Sequence, residues 1–177
     1  MPADGSTDDL FATPRLRARL LTMGDEDALQ EVFQAGGDYF LEVTGRPEPD
    51  EDAAVREIAS TINVPGRRVA LVSLAESGED VGALGWWGHH PEPDIALLGM
   101  LLVVPERRGA GVGREALGAL EGVLAADGIR RLRTGVGAGD TAKHALLRAL
   151  GFHPLDERTH VTLDRGRLMI ALFEKEL

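Results

Sequence analysis

Cysteine is absent from these 177 residues. Disulfides, thiolate nucleophiles and cysteine-held metals are therefore excluded, and a cytoplasmic setting suits the chain. Aromatic residues are sparse, at one tyrosine, two tryptophans and five phenylalanines. Any phenol that does chemistry here is Tyr39. No apolar run approaches the ~20 residues of a membrane-spanning helix, so no membrane partner is expected. The opening M-P-A-D-G-S-T-D-D lacks the basic and apolar regions of a signal or transit peptide. It reads as a disordered acidic tail over 1–12, ahead of one domain over 13–177. Basic residues are in deficit, 19 Lys and Arg against 29 Asp and Glu, for a net charge of −10. That argues against nucleic acid as a partner. It either steers cationic molecules toward the chain or only keeps it soluble. His89-His90 has no third ligand at metal-binding spacing, so no metal is expected.

What is present is an ordinary globular pattern, 44% hydrophobic, of a length that fits one domain. Arg15–Leu21 alternates as a half-solvated strand. Asp25, Glu26 and Asp27 open a helix whose buried stripe is Ala28, Leu29, Val32 and Phe33. Asp38–Thr44 fits a short additional helix. Asp50–Asp52 open another, with Val55, Ile58, Ala59 and Ile62 expected inward. Strands follow at 69–74, 81–87 and 95–104. A helix from about 113 ends near Asp127-Gly128, with Gly128 as a left-handed cap. Then come a strand at 131–136, a short helix at 142–150 and strands near 157–163 and 167–174 around a turn at Asp164-Arg165-Gly166. The order β-α-α-β-β-β-α-β-α-β-β is mixed α/β, with a central sheet of about seven strands and about four helices.

One stretch carries chemistry. In Leu101–Arg114, L-L-V-V-P-E-R-R-G-A-G-V-G-R, Pro105 ends a strand, glycines follow at 109, 111 and 113, and a helical stripe begins at Val112. No Ser, Thr, Asp or Asn stands at the N-cap. Bare helix-start amides, close backbone approach at glycine and flanking arginines make an anion site. A P-loop needs Lys-Ser/Thr where Arg114-Glu115 stands, and the dinucleotide fingerprint needs glycine at Arg114. Arg-x-x-Gly-x-Gly fits, at Arg108, Gly111 and Gly113. With V-x-P upstream and the element order, the chain resembles the GNAT acetyltransferase superfamily.

The resemblance implies acetyl-CoA as co-substrate. Its pyrophosphate would lie on Arg108, Gly109, Ala110, Gly111, Val112, Gly113 and Arg114, and its pantetheine would pair with the backbone of Leu101, Leu102 and Val103. A primary amine of a small molecule or peptide would attack the thioester carbonyl and CoA thiolate would leave. Transfer would be direct, as no cysteine can carry the acetyl group. A backbone N–H at a strand bulge would polarise the carbonyl. Gly99 marks either such a bulge or a gap beside Trp86 or Trp87. Family members often dimerise through their last strands, so a homodimer is one assembly the resemblance allows.

The chain also departs from the family. Anchored on Gly151-Phe152, the usual acid tyrosine of the second core helix is Leu147, which cannot donate a proton. The Asn position of that motif is Asp140, either a helix N-cap or a cofactor contact. Tyr39 and His144 are the candidate catalytic groups. Tyr39 alternatively packs with its hydroxyl at the surface, and His144 alternatively sits on the surface. His89 and His90 are either bases or solvated loop histidines. One of Trp86 and Trp87 is expected in the core and the other beside the acceptor. The missing tyrosine leaves a second function open, a catalytically weak or inactive CoA-binding sensor or interaction module.

Overall fold

Residues 9–163 and 166–177 are described by the structure, a computed structural model. Its centre is the expected antiparallel meander, β3 (Arg67–Leu74), β4 (Asp80–Gly88) and β5 (Ile95–Val103). β1 (Asp9–Ala12) and β2 (Leu16–Leu20) extend it on one side. On the other lie β6 (Arg131–Gly137), β8 (Gly166–Glu176) and, at the edge, β7 (His153–Leu163). The eight strands run β1-β2-β3-β4-β5-β6-β8-β7, and β5 with β6 is the parallel pair. Five helices accompany them among the described residues: α1 (Glu26–Ala35), α2 (Gly37–Val43), α3 (Ala53–Asn63), α4 (Val112–Ala126) and α5 (Thr141–Ala149). None is long and apolar enough to cross a membrane.

Two expectations need correction. β1 occupies the end of the segment read as a 1–12 tail. Phe11 is buried opposite Ala18, and Asp9 accepts from Arg17 at 2.6 Å. One wedged aromatic recruits an edge strand there, while residues 1–8, like 164–165 of the final turn, lie outside the described residues. The inward face of α3 is also rotated. Val55 and Ile62 are exposed, and Ala53, Ala54 and Ile58 are buried. Residues three and four apart share a helix face, so Glu57 and Thr61 turn toward the sheet with Ala54 and Ile58.

Side chains alternate along a strand, and β5 uses both faces. A Cβ on Gly36, at the α1–α2 junction, would strike Leu102 at 2.9 Å. A Cβ on Gly113 of α4 would meet Val103 at 3.5 Å. α1 and α4 therefore cover opposite faces of β5. α1 does so with the expected stripe of Leu29, Val32 and Phe33, and α4 with Val112, Ala116, Leu117, Leu120 and Leu124.

Candidate active site

β5 and β6 part company halfway along. Their pairing runs from Ile95↔Arg131 to Leu98↔Thr134. Beyond it β6 pairs with β8 and β5 with β4. The buried Thr134 hydroxyl donates to the Leu98 carbonyl at 2.9 Å, closing the apex of the split. Residues 99–103 thus present one backbone edge without a strand partner among the described residues. At the apex Gly85 pairs with Met100 and Trp86 with Leu98, so Gly99 is the extra residue of a bulge. A Cβ there would meet only the Gly85 carbonyl oxygen, at 3.8 Å, and Gly99 also borders open space that both tryptophans line.

The glycine-rich turn lies at the far end of that free edge. Gly109 and Gly111 have φ of 75° and 81°, and Gly111 is the N-cap of α4. Left-handed backbone at both points keeps helix-type pairing from starting early. The first helical bond is from Glu115 N–H to the Gly111 carbonyl, and among the described residues the N–H groups from Gly109 to Arg114 have no acceptor. The side chains here are already tied. Arg108 forks onto Asp38 of α2 and donates from Nε to the Val103 carbonyl at 2.8 Å. Hydrogen bonding from Arg108 holds the Asp38 carboxyl below its usual range, against a smaller effect of burial. Arg114 donates to the Ala149 carbonyl at 3.1 Å, linking α4 to α5. Arg15 donates to the Ala110 carbonyl at 2.9 Å and to Glu115 at 2.6 Å, which braces the turn from the residue just before β2. Arg15 and Asp38 stand too far from the motif in sequence to be found there.

On the other face of the bulge is a cleft of about 480 Å³. Phe33, Phe40, Leu97, Met100 and both tryptophans give it apolar walls. Trp86 is in the core, and Trp87 donates its indole N–H to the Pro65 carbonyl at 2.8 Å. Tyr39, Glu57 and Arg67 supply polarity. Arg67 Nη2 donates to Glu57 Oε1 at 3.1 Å. The same Glu57 oxygen lies 3.6 Å from where a Cβ on Gly85 would be, which sets it beside the bulge. Burial, with the Glu57 charge adding to it, pushes the Tyr39 phenol up to about 12.

Residues 29–152 match the acetyltransferase (GNAT) family. The chain belongs to the GNAT acetyltransferase family. No curated protein matches it in sequence. Among solved structures, an acetyltransferase from Thermus thermophilus is 27% identical with a TM-score of 0.73, and 96% of this chain covers 99% of that one. RimL, a ribosomal L7/L12 alpha-N-protein acetyltransferase in complex with coenzyme A, is 16% identical with a TM-score of 0.75, at 96% and 98% coverage. A ribosomal-protein-alanine N-acetyltransferase from Brucella melitensis is 23% identical with a TM-score of 0.67, at 90% and 99% coverage.

Within this GNAT frame the other candidates fall as follows. Tyr39 lines the cleft, and its hydroxyl has no partner among the described residues. His144 on α5 is half-buried, its Nε2 3.1 Å from the Gly137 carbonyl and its ring edge-on to Phe173. Asp140 is the N-cap of α5, accepting from Lys143 N–H at 3.0 Å. His89 sits between the Pro93 carbonyl and Asp127, and His90 stacks on Trp87 outside the cleft. Glu57 escaped the sequence reading because charge on a helix reads as solvent-facing. Its signal was the α3 face that Ala54 and Ile58 define.

Leu147 is buried in the core. A tyrosine there must overpack it, at a cost of about 1–3 kcal/mol. Leu147→Tyr is therefore expected to lower Tm by about 2–12 °C without raising turnover. Thermal denaturation beside a thiol-release assay checks this. A faster enzyme of unchanged Tm would mean the ring reaches the thioester after all.

Proposed function

We propose that this chain is an N-acetyltransferase that moves the acetyl group of acetyl-CoA directly onto a primary amine of a small molecule or peptide. The observation that carries the proposal is a meeting point. The Gly99 bulge joins the split between β5 and β6, which leads to the amide-lined turn, to the cleft that holds Glu57 and Tyr39. Acetyl-CoA supplies an acyl thioester whose carbonyl an amine can attack.

The chain's residues do the rest. The unpaired N–H groups of 109–114 receive the pyrophosphate, with the α4 dipole behind them. The free edge of Leu101, Leu102 and Val103 pairs with the pantetheine amides as a further strand would. An N–H at the bulge faces the thioester oxygen, where charge develops. Glu57 takes the proton of the attacking amine. Tyr39 keeps its own proton across the whole assay range and offers it to the departing sulfur. His144 stands on α5 as the second candidate donor, and Asp140 fixes the start of that helix. Protein acceptors of RimL type and small amines both remain within this class.

Acetyl-CoA at a hundred times its Kd is expected to add about 2.7 kcal/mol to stability. Tm should rise by about 5–10 °C. ATP should have no such effect. An amine panel read by thiol release then tests turnover. Tight acetyl-CoA binding with no release for any amine would favour the sensor reading, and an ATP shift without an acetyl-CoA shift would remove the assignment altogether.

A further inference from the structure

We propose, resting on the N-acetyltransferase reading above, that the acceptor is a free α-amino acid bound as its zwitterion, amine on Glu57 and carboxylate on Arg67. The cleft's own charges differ from those of the whole chain. Net charge is −10, yet the ionised lining is one carboxylate, Glu57, against two guanidiniums, Arg56 and Arg67. Arg56 is occupied, held at the mouth by Asp50 and Asp52. Arg67 uses Nη2 alone, on Glu57. Its Nη1 and Nε have no acceptor among the described residues. The Ser60 hydroxyl and the Trp87 indole are already spent on the carbonyls of Glu57 and Pro65. Arg67 is thus the cation of the cleft with open donors.

The pair is a fixed dipole. Its negative and positive ends are 3.1 Å apart, with side chains 24% and 37% exposed. Standard bond lengths put the nitrogen and nearest carboxylate oxygen of an α-amino acid about 3 Å apart. The two dipoles fit side by side in opposite sense. Ammonium meets the Glu57 carboxylate beside the Gly99 bulge, where its proton must leave. Carboxylate meets the free edge of Arg67, which accepts a planar partner well. The apolar walls are left for the amino-acid side chain. A peptide N-terminus puts a neutral carbonyl against Arg67, and a plain amine puts nothing there. Half-desolvated donors then go without a charged partner, which is how such sites reject analogues. The reaction balances: the N–C bond forms and the C–S bond breaks, and the ammonium loses two protons, one through Glu57 to solvent before attack and one that ends on the CoA thiolate.

The test gives the intact protein acetyl-CoA with each of the twenty free amino acids, its α-amide and a dipeptide that begins with it. Thiol release gives rates and mass spectrometry identifies products. The preferred amino acid is expected to exceed its amide and dipeptide by about 10- to 100-fold in kcat/KM, the range of a charge-assisted contact. Arg67→Gln is expected to collapse that ratio toward one, and Arg67→Lys to restore part of it. Amides or dipeptides that match the free acids overturn the zwitterion while leaving the N-acetyltransferase standing. A ratio that survives Arg67→Gln removes Arg67 from its role. No thiol release with any amine overturns both readings.

Discussion

Glu57→Gln is expected to lower kcat/KM by about 10²–10⁴ at neutral pH, the usual effect of losing a positioned general base. Glutamine keeps the shape of the side chain and can still accept from Arg67, so the cleft should hold together. Acetyl-CoA affinity, set on the far side of the bulge, should not change. What disappears is the group that takes the proton from the incoming ammonium. The pH profile makes the test specific. Free amines have pKa values from about 8 for an α-amino group to about 10 for lysine. Activity should therefore rise with pH through neutrality in the wild type. In Glu57→Gln it should rise more steeply, because a growing share of the amine arrives deprotonated, so the deficit should shrink toward pH 10. Tyr39 produces no alkaline fall in this window, since its phenol is pushed up to about 12 by burial and the Glu57 charge. Equal rates for Glu57→Gln and wild type at pH 7 would take Glu57 out of the mechanism, and a constant deficit at every pH would make it a binding residue.

That Glu57 matters was not visible in the chain, for an identifiable reason. The strand–turn–helix unit from Leu101 to Arg114 is local. Proline, glycines and the α4 stripe each dictate backbone within a few residues, so sequence and structure agree there. The meander and the final hairpin are legible for the same reason, as alternation bounded by turns. The acceptor side is assembled from distant pieces. Glu57 reaches Arg67 and the bulge because α3 rotates Ala53, Ala54 and Ile58 inward and leaves Val55 and Ile62 exposed. Hydrophobicity alone favours a face that shares only Ile58 with the buried one, and small residues at 53 and 54 let the helix approach the sheet. Asp38 and Arg108, 70 residues apart, pair only once α2 lies over the loop. The strand Asp9–Ala12 is not legible in the sequence because it is four residues long and only Phe11 of it is buried.

Gly111→Val should raise the Kd for CoA by about 10² or more, whereas Arg108→Ala should raise it by less than about 10-fold. Steric clash is not the cause. A Cβ on Gly111 meets one atom, Arg15 Nη2 at 3.4 Å, on an exposed turn. The cause is conformation. Gly111 has φ 81° and ψ 6°, a region that costs a non-glycine residue about 1–3 kcal/mol and a β-branched one most of all. The chain can escape that strain by swinging the turn, and the N–H groups of Val112, Gly113 and Arg114 then no longer converge on one point. Several contacts to the pyrophosphate weaken together. Arg108 contributes less than its place in the motif suggests, because its guanidinium already forks onto Asp38 and bonds the Val103 carbonyl. Any phosphate contact must compete with that carboxylate. Asp38→Asn removes the competing charge and should tighten CoA binding where Arg108→Ala weakens it. Calorimetric titration of the three variants, each confirmed folded by its apo Tm, measures the order directly. Wild-type affinity in Gly111→Val would mean that the turn is not where the pyrophosphate binds.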